Sequence, residues 1–384
     1  MGRLHTRAYR NLPEVYPNLQ VKPELVIAAD PVPANQRDAL DRLGFAQAVA
    51  DYRQVLAHPG VEAVSICAPN FLHHEIGMAA VSAGKPFWIE KPMGVNAAQS
   101  AELAQAASAA GLVTATGFNY RNAPGVAFAR QLIAEGRLGR VTNLRVWLVA
   151  DYASDPSGPL TWRYDRDRAG AGVVGDLLSH GIDLAQHVAG RIREVTAMTG
   201  TFIDQRPIPA EQGIGHAKVA LTGDYGAVEN EDYVAALARF ENGALATLEA
   251  SRVSVGPRNE YVLEVYGTGG SLRWNFEDQT KLQVCLGTGG GESGDTHGYT
   301  TVMAGREHGE YGRFQPGPGM NMSFDDLKTV EGALFVESVL TGRQLAPSAG
   351  DAWSAAEVDE AIVRSASDGQ WHSVPAVPGV TFQG

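Results

Sequence analysis

Short apolar runs alternate with helix-like segments through the first 121 residues of the chain. The apolar runs lie at 23–30, 61–70, 86–92 and 112–121. The segments between them, which place apolar residues at helical spacing, lie at 37–45, 51–60, 71–85 and 97–111. Short apolar strands that alternate with helices are typical of a parallel, doubly wound sheet. The pattern therefore predicts an α/β domain over residues 1–121.

The hydrophobic pattern changes after residue 122. A helix leads into a long alternating strand at 141–152, and another helical segment follows at 172–190. Strand patterns then dominate, and turn residues at 241–243 and 267–270 predict two hairpins. We expect a second α/β domain, over 122–384, with an open, mostly antiparallel sheet of about five or six strands.

Polar, glycine-rich stretches interrupt the second domain. They lie at 204–231 and 286–322 and predict loops, and two helical patterns follow from Phe324. A chain of 384 residues is too long for one ordinary domain, and a hydrophobic content of 44% suffices for two cores.

Charge and cysteine content argue against several classes of protein. Lys and Arg number 31 against 43 Asp and Glu, a net charge of −12 that disfavours a nucleic-acid groove or an anionic membrane surface as partner. No apolar run approaches the ~18 residues of a membrane span, and the N-terminus has no signal-peptide core. Cys67 and Cys285 match no metal or disulfide spacing, so we expect a reducing, cytoplasmic location.

Polar residues follow the predicted parallel strands, at the edge of the sheet where doubly wound proteins bind ligands. They are Asp30, Asn70, Glu90, Lys91, Asn119, Tyr120 and Arg121. Lys91 ends a buried strand and precedes Pro92, which predicts a rigidly held amine at this edge. The alternative is a lysine that merely extends into solvent.

The helical segment 172–190 carries a polar stripe. Asp176, His180 and Asp183 stand at i, i+4 and i+7 and therefore share one helix face. An imidazole beside a carboxylate is suited to general-base catalysis. A solvated face, a core histidine held by an aspartate, and a metal ion shared by Asp176 and His180 remain alternatives, although no third ligand of obvious type lies close in the sequence.

Asp30 ends the first apolar run. In a dinucleotide-binding unit, an acid at this point hydrogen-bonds the adenosine ribose and repels a 2′-phosphate. No arginine follows before Arg37, which favours NAD over NADP. The alternative is an aspartate that forms a turn with the proline after it.

Two further segments have both a structural and a functional interpretation. His73 and His74 open a helix after Asn70, either as surface residues or as cofactor contacts. Trp162 and Arg163 precede the polar helix, either as a core tryptophan beside a surface arginine or as a lid over a ring.

Five segments occur in one order along the chain: APNFLHHE, AGKPFWIEKPMG, GFNYR, PLTWR and GDLLSHGID. In this order and spacing the chain resembles the glucose–fructose oxidoreductase/inositol dehydrogenase (Gfo/Idh/MocA) family over nearly its whole length. Within that family, the sequence motifs at 118–121, 154–163 and 175–183 are most similar to those of levoglucosan and inositol dehydrogenases.

The resemblance implies a Rossmann domain followed by an α/β domain with an open sheet, NAD as cofactor, a sugar or cyclitol as substrate, and no metal. It implies a catalytic set of Lys91, Asp176 and His180, with a Lys91–Pro92 peptide bond that is cis in many members. The implied cofactor-binding residues are Gly2, Arg3, Leu4, His5, Asp30, Pro69, Asn70, His73, Glu90, Lys91, Asn119, Trp162 and Arg163. The implied substrate-binding residues are Lys91, Tyr120, Arg121, Arg163, Asp176, His180 and Asp183.

The resemblance also implies a homodimer or homotetramer, formed through the exposed face of the open sheet. This agrees with the general rule that a large apolar surface is covered by a partner.

We expect the chain to transfer a hydride between a secondary alcohol and the nicotinamide. In this hypothesis His180 removes the hydroxyl proton, Lys91 stabilises the negative charge on the same oxygen, and Asp176 orients His180. A keto-sugar reductase of the same fold that uses NAD(P)H is one alternative. A non-catalytic NAD-binding module is another, which the presence of all three catalytic residues disfavours.

The chain opens with MGRLHTRAYR. The family begins with a strand and then G-x-G-x-x-G-x-x-H, in which Gly2 and His5 match the last glycine and the histidine. The first strand and the first two glycines, which let the backbone approach the pyrophosphate, have no counterpart here. We therefore expect that the native chain begins roughly ten to fifteen residues before Met1 and that the Rossmann domain is truncated in this sequence. A chain that begins at Met1 should bind NAD weakly.

Overall fold

The computed structural model describes residues 1–210, 220–287 and 297–382. The predicted loops at 204–231 and 286–322 therefore lie partly outside the described residues.

The helices are α1 (Gly2–Val15), α2 (Pro33–Asp41), α3 (Tyr52–Ala57), α4 (Asn70–Ser82), α5 (Ala97–Ala109), α6 (Pro124–Ala134), α7 (Arg166–Ala169), α8 (Ser179–Ala189), α9 (Tyr311–Phe314), α10 (Phe324–Thr341) and α11 (Ala349–Asp368). A π-helical turn over Val174–Leu178 runs directly into α8. Short 3-10 turns lie at Pro17–Leu19, Asn119–Asn122, Trp162–Tyr164 and Phe276–Asp278.

The strands are β1 (Ile27–Ala29), β2 (Gln47–Val49), β3 (Val64–Ile66), β4 (Phe87–Ile89), β5 (Thr114–Thr116), β6 (Val141–Ala150), β7 (Ile192–Gly200), β8 (Gln205–Pro209), β9 (Leu221–Ala227), β10 (Tyr233–Phe240), β11 (Leu245–Ser251), β12 (Asn259–Gly267), β13 (Gly270–Asn275), β14 (Lys281–Leu286), β15 (Thr300–Met303) and β16 (His372–Ser373).

The N-terminal strands are parallel and lie in two ladders. β1 pairs with β2, while β3, β4 and β5 pair in that order. Within the described residues, no backbone ladder joins β1 to β3. β4 is completely buried, as expected for a strand covered on both faces. The predicted strand–helix alternation is confirmed. β2 was not predicted, because three residues that begin with Gln47 show no apolar run.

The second sheet contains nine strands within the described residues, in the order β15-β14-β13-β12-β6-β11-β10-β7-β16. Only the β6–β11 pair is parallel. The predicted hairpins join β10 to β11 and β12 to β13. The expected number of about five or six strands is too low, in part because the edge strands β15 and β16 have only four and two residues, too few to show an alternating pattern.

One face of this sheet is covered and the other is open. On the covered face, a Cβ at Gly181 of α8 would lie 3.1 Å from the side chain of Val146 in β6. On the open face, Leu237, Met198 and Leu245 are half or more exposed. Alternate residues of β10 therefore point to opposite environments, as its sequence pattern predicts.

The predicted loop at 204–231 is wrong for its described part, which contains the antiparallel pair β8–β9. β8 includes two prolines and β9 is exposed almost throughout, so neither shows the apolar alternation of a strand. The buried Arg206 anchors this hairpin by donating to the Asp155 carbonyl oxygen at 2.8 Å. The predicted loop at 286–322 likewise contains β15 and α9.

The last two long helices return to the N-terminal strands. A Cβ at Gly332 of α10 would lie 3.3 Å from the methyl group of Ala8 in α1. The Thr116 N–H at the end of β5 donates to the Pro347 carbonyl oxygen at 2.8 Å, just before α11. The end of the chain therefore holds together the parts that precede and follow residue 121. In the part of the chain that the structure describes, no helix is both long and apolar enough to cross a membrane.

Gly170, which ends α7, provides a test of this packing. Its φ is +77°, and a Cβ there would lie 2.1 Å from the Val95 carbonyl oxygen. Gly136 is a matched control because its φ is +70° and a Cβ there would meet no atom within 4 Å. We expect Gly136→Ala to lower the free energy of unfolding by about 1 kcal/mol and Gly170→Ala by at least twice as much. Urea unfolding measures both, and equal losses would contradict the close approach of Val95.

Candidate active site

Glu90 and Lys91 follow the buried strand β4, and each pairs with a residue from the second half of the chain. The Lys91 Nζ donates to Asp176 Oδ1 at 3.0 Å and to the Asp176 carbonyl oxygen at 2.5 Å. Glu90 Oε1 accepts a hydrogen bond from Lys328 Nζ at 2.7 Å. The Lys91–Pro92 peptide bond is cis. The predicted amine therefore does not extend into solvent but reaches the predicted polar helix.

Asp176 lies in the π-helical turn, and both its carboxylate oxygens accept hydrogen bonds. Oδ1 accepts from Lys91, and Oδ2 accepts from the Tyr152 hydroxyl at 2.8 Å. Burial alone would raise the pKa of Asp176, but the Lys91 charge and the Tyr152 hydrogen bond hold it well below its usual range. Asp176 is therefore a carboxylate at neutral pH.

His180 lies one turn further along, in α8, against aromatic rings. The ring of Tyr120 meets the imidazole edge-on at 4.8 Å between centroids. The Tyr261 hydroxyl donates to the His180 carbonyl oxygen at 2.6 Å, which fixes the backbone at this point. Burial and the charges of Lys91 and Lys328 hold the pKa of His180 well below its usual range. The imidazole is therefore neutral at physiological pH and able to accept a proton.

The residues of the predicted polar stripe, Asp176, His180 and Asp183, make separate contacts. The segment 172–190 is not one continuous α-helix, because Val174–Leu178 forms a π-turn with a different residue spacing. Asp176 pairs with Lys91, whereas Asp183 pairs with Arg121 through Nε and Oδ2 at 2.8 Å. The structure therefore assigns the two carboxylates to different partners.

Arg121 and Asp183 form a buried ion triad with Asp351 of α11. Arg121 Nη2 donates to Asp351 Oδ1 at 2.9 Å. Burial raises the pKa of Asp183 to about 6 despite the neighbouring Arg121. No hydrogen bond in the described chain links this triad to Lys91, Asp176 or His180. The triad ties α8 to α11 and to the turn that carries Tyr120.

Trp162 and Arg163 lie close to the start of α4. The Arg163 guanidinium stacks on the Trp162 ring at 4.5 Å, and that ring meets Phe71 edge-on at 5.7 Å. The charge of Arg163 also contributes to the low pKa of Asp176. The pair therefore contacts the start of α4 and lies near the Asp176 carboxylate, and its role as a lid over a ring stays a prediction.

The N-terminal residues of α1 are divided between the surface and the core. Gly2 and Arg3 are exposed, Leu4 is half-buried, and Arg3 Nε donates to Asp38 Oδ2 at 3.1 Å. His5 is buried, stacks on Trp88 at 3.5 Å, and places Nε2 2.8 Å from Glu90 Oε1. His5 therefore links α1 directly to the residue before Lys91.

The other predicted cofactor residues surround the ends of β1, β3 and β5. Asp30 accepts hydrogen bonds from the Val32 N–H at 2.8 Å and from Asn35 Nδ2 at 3.0 Å, so the turn-forming role is present. Pro69 and Asn70 start α4. Asn119 is buried, and its Nδ2 has no hydrogen-bond partner among the described residues.

His73 is a buried brace rather than a surface residue. Its Nδ1 lies 2.7 Å from the Pro92 carbonyl oxygen and its Nε2 lies 2.7 Å from the Ala68 carbonyl oxygen. It therefore connects the loop after β3 to the backbone just beyond Lys91. His74, by contrast, pairs with Glu102 on the surface, at 2.9 Å.

Sequence reasoning missed a buried ion network beneath the site. Lys328 of α10 is almost fully buried between Glu90 and Glu331, and the Trp88 indole N–H donates to Glu331 Oε1 at 2.9 Å. Lys328 and Glu331 stand at i and i+3 on a helix, which is the only sequence signal. Glu90, the other partner of Lys328, lies more than two hundred residues away, so local spacing cannot identify it.

Protonation in this network follows from burial and neighbouring charge. Lys328 and His5 outweigh burial and hold the pKa of Glu90 well below its usual range. Burial, together with the Glu90 charge, raises the pKa of Glu331 to about 7 although Lys328 opposes the shift. Burial lowers the pKa of His5 to about 4. Near neutral pH Glu90 and Lys328 are therefore both charged, whereas Glu331 is partly protonated.

A second set of missed residues surrounds Asp176 and Arg121. Tyr152 is the last residue of the predicted strand 141–152, and its position at a strand end was an available signal. Asp351 lies in the first turn of α11, as part of a capping box with Ser348, which gave no sign of a partner in Arg121. No cluster of three potential metal ligands occurs within the described ranges.

Glu331→Gln tests the ion network through the pH dependence of stability. As pH rises from about 4.5 to about 7, the unfolded chain loses the Glu331 proton while the folded chain retains it, which progressively disfavours the folded state. The amide of the variant does not titrate, so the variant does not lose stability at this position over this pH range. We expect the stability of Glu331→Gln relative to wild type to increase over this pH range and then to level off. Urea unfolding at several pH values measures it, and a difference independent of pH would contradict the raised pKa.

Two family models match the chain. One is described as the oxidoreductase family, NAD-binding Rossmann fold, and matches residues 1–118, and the other, the GFO/IDH/MocA C-terminal domain, matches residues 126–273. The levoglucosan dehydrogenase of Pseudarthrobacter phenanthrenivorans is 33% identical over 380 residues, which cover 98% of this chain and 96% of that protein. The inositol 2-dehydrogenase of Rhizobium meliloti is 25% identical over 369 residues, covering 96% and 94%.

A solved structure agrees with these sequence matches. Levoglucosan dehydrogenase in complex with NADH and L-sorbose has a TM-score of 0.90 and 32% identity, and the match covers 98% of this chain and 96% of that one. The resemblance drawn from the motifs is therefore confirmed, together with the α/β fold and the NAD-binding Rossmann domain. The chain belongs to the Gfo/Idh/MocA family of NAD-dependent oxidoreductases.

Proposed function

We propose that this enzyme oxidises a secondary alcohol of a sugar, anhydrosugar or cyclitol, with His180 as general base and Lys91 and Asp176 as its partners. The observation that carries the proposal is the junction at the end of β4. There a lysine donates to an ionised aspartate, one helical turn from a histidine that is neutral. A neutral base beside a fixed cation is suited to removing a hydroxyl proton while the charge on that oxygen grows.

The three side chains have different roles in this mechanism. Neutral His180 accepts the hydroxyl proton. The Lys91 ammonium stabilises the oxygen that loses it, and its contact with Asp176 keeps the ammonium in place. Because burial and nearby lysines disfavour an imidazolium, His180 passes the proton on readily after the reaction.

NAD supplies the hydride acceptor in this reaction. The residues present suit it: α1 begins at Gly2, where a helix N-terminus favours a phosphate, and we assign Asp30, which directly follows β1, to the ribose hydroxyls. The buried, unpartnered amide nitrogen of Asn119 suits a carbonyl acceptor at the carboxyl end of β5. We assign Pro69, Asn70, Glu90 and the Trp162–Arg163 pair to the same site.

The substrate class follows from the relatives. Levoglucosan dehydrogenase and inositol 2-dehydrogenase, which this chain resembles along almost its full length, are named for an anhydrosugar and a cyclitol. We propose a polyhydroxylated ring of that kind, bound between Tyr120, Arg163 and the catalytic set. The charges of Arg121 and Asp183 pair with each other. These two residues therefore affect the substrate indirectly, because they hold Tyr120 and His180 in position.

We further propose that residues 1–121 bind the cofactor and that residues 122–384 bind the substrate and form the subunit interface. The exposed Met198, Leu237 and Leu245 on the open sheet face support a homodimer or homotetramer formed through that face.

A substrate panel tests the proposal. Levoglucosan, myo-inositol, scyllo-inositol, glucose and L-sorbose are each offered with NAD+ and, separately, with NADP+, and the absorbance of the reduced cofactor is followed. We expect turnover of at least one compound with NAD+ and a clear preference over NADP+. Activity only in the direction of ketone reduction would favour a keto-sugar reductase. NADH binding without turnover in either direction would favour a non-catalytic module.

His180→Ala tests the assignment of the base. Loss of a general base lowers kcat by roughly 10²–10⁴-fold, while NADH affinity stays within about twofold because His180 is not placed at the cofactor. His372→Ala is a matched control, since His372 pairs with Asp368 at the sheet edge, at 2.9 Å. Steady-state kinetics and NADH fluorescence titration measure both effects. A His180→Ala enzyme with near-normal kcat would overturn the assignment.

A further inference from the structure

Tyr152 occupies a rigid turn directly after the central strand β6. The next residue, Ala153, donates its N–H to the Arg252 carbonyl oxygen at 3.0 Å. Arg252 is itself fixed, because its Nε donates to the fully buried Asp232 at 2.8 Å. The backbone of Tyr152 is therefore held by a buried ion pair, and its ring has a defined position.

The Tyr152 hydroxyl acts on the catalytic carboxylate from the side opposite Lys91. It donates to Asp176 Oδ2 at 2.8 Å, while Lys91 donates to Oδ1 at 3.0 Å. A carboxylate with one donor on each oxygen cannot rotate without losing a charge-assisted hydrogen bond. Tyr152 therefore helps to set the plane of the Asp176 carboxylate, and this carboxylate, together with the Asp176 carbonyl oxygen, holds the Lys91 ammonium.

Tyr152 also lies on the open side of the site. Its side chain is partly accessible, with 37% of the residue exposed, and the Asp176 side chain is equally exposed at 37%. The Lys91 side chain beneath them is only 14% exposed. A substrate that approaches Lys91 from solvent thus passes the Tyr152–Asp176 pair. Rigid aromatic rings beside a few fixed polar groups are the usual walls of small-molecule sites.

We infer that Tyr152 is a positioning residue of this reaction: its hydroxyl fixes Asp176 against Lys91, and its ring forms the wall on which the apolar face of the sugar or cyclitol packs. The second half of this inference rests on the proposed function. The first half depends only on the contacts among Tyr152, Asp176 and Lys91.

Two substitutions separate the hydroxyl from the ring. Tyr152→Phe keeps the ring and removes the hydrogen bond, so we expect kcat to fall about tenfold with KM nearly unchanged. Tyr152→Ala removes both, and we expect KM to rise as well. The matched control is Tyr52→Phe, which also removes a tyrosine–carboxylate hydrogen bond, to Glu75 at 2.6 Å on the surface. We expect this control to retain wild-type kcat and KM, and all variants to retain NADH affinity.

A second readout needs no substrate. The apoenzymes are treated with acetic anhydride, and mass spectrometry compares the acetylation rate of Lys91 with that of the exposed Lys22 in the same chain. An Asp176 carboxylate that has lost one of its two donors holds the Lys91 ammonium less firmly, so we expect the ratio to rise at least about threefold in Tyr152→Phe. The ratio in Tyr52→Phe stays at the wild-type value.

The two readouts distinguish failure of this inference from failure of the proposed function. If the wild-type enzyme turns over no sugar or cyclitol, the proposed function fails, and the acetylation ratio alone decides the role of Tyr152. An unchanged ratio in folded Tyr152→Phe overturns the positioning of Asp176. Where the wild type is active, a normal kcat in Tyr152→Phe also overturns the positioning of Asp176. A normal KM in Tyr152→Ala overturns the proposal that the Tyr152 ring forms a wall of the substrate site.

Discussion

The two ion pairs made by the adjacent residues Glu90 and Lys91 are the constraint on which the site depends. Strand β4 ends inside the protein, and each side chain reaches a residue that arrives much later in the chain, Lys328 or Asp176. Removing Lys328 would leave the buried Glu90 charge without its ion-pair partner, which costs several kcal/mol. The same contacts that join the two halves of the chain therefore also position the Lys91 amine, which we propose takes part in catalysis.

Burial also determines the protonation states that make the chemistry possible. The pKa of His180 is low because burial and two lysines disfavour its cation, and the pKa of Asp176 is low because Lys91 and Tyr152 favour its anion. A neutral base and an ionised carboxylate thus coexist beside one ammonium group. The His5–Glu90 contact and the His73 brace connect this arrangement to the predicted cofactor side of the sheet.

Much of the fold was predictable because local pattern and tertiary environment agree. β1 and β4 are apolar throughout, and the hairpin turns at 241–243 and 267–270 carry residues that favour such turns. The predictions failed where pattern and environment diverge. β8 and β9 are strands that bury little apolar surface, and the π-turn before α8 has no signature in residue type. The motifs predicted that Lys91, Asp176 and His180 act together, and the structure brings them to one place.

The sequence by itself determined the alternation of elements, the family and the identity of the central polar residues, because these depend on spacing within short segments. Only the tertiary structure decided which charges pair: Asp183 with Arg121 rather than with His180, Lys328 with Glu90, and Tyr152 with Asp176. The physical reason is that an ion pair is selected by distance and desolvation in the folded chain. Residues separated by tens or hundreds of positions carry no local signal of the partner that burial gives them.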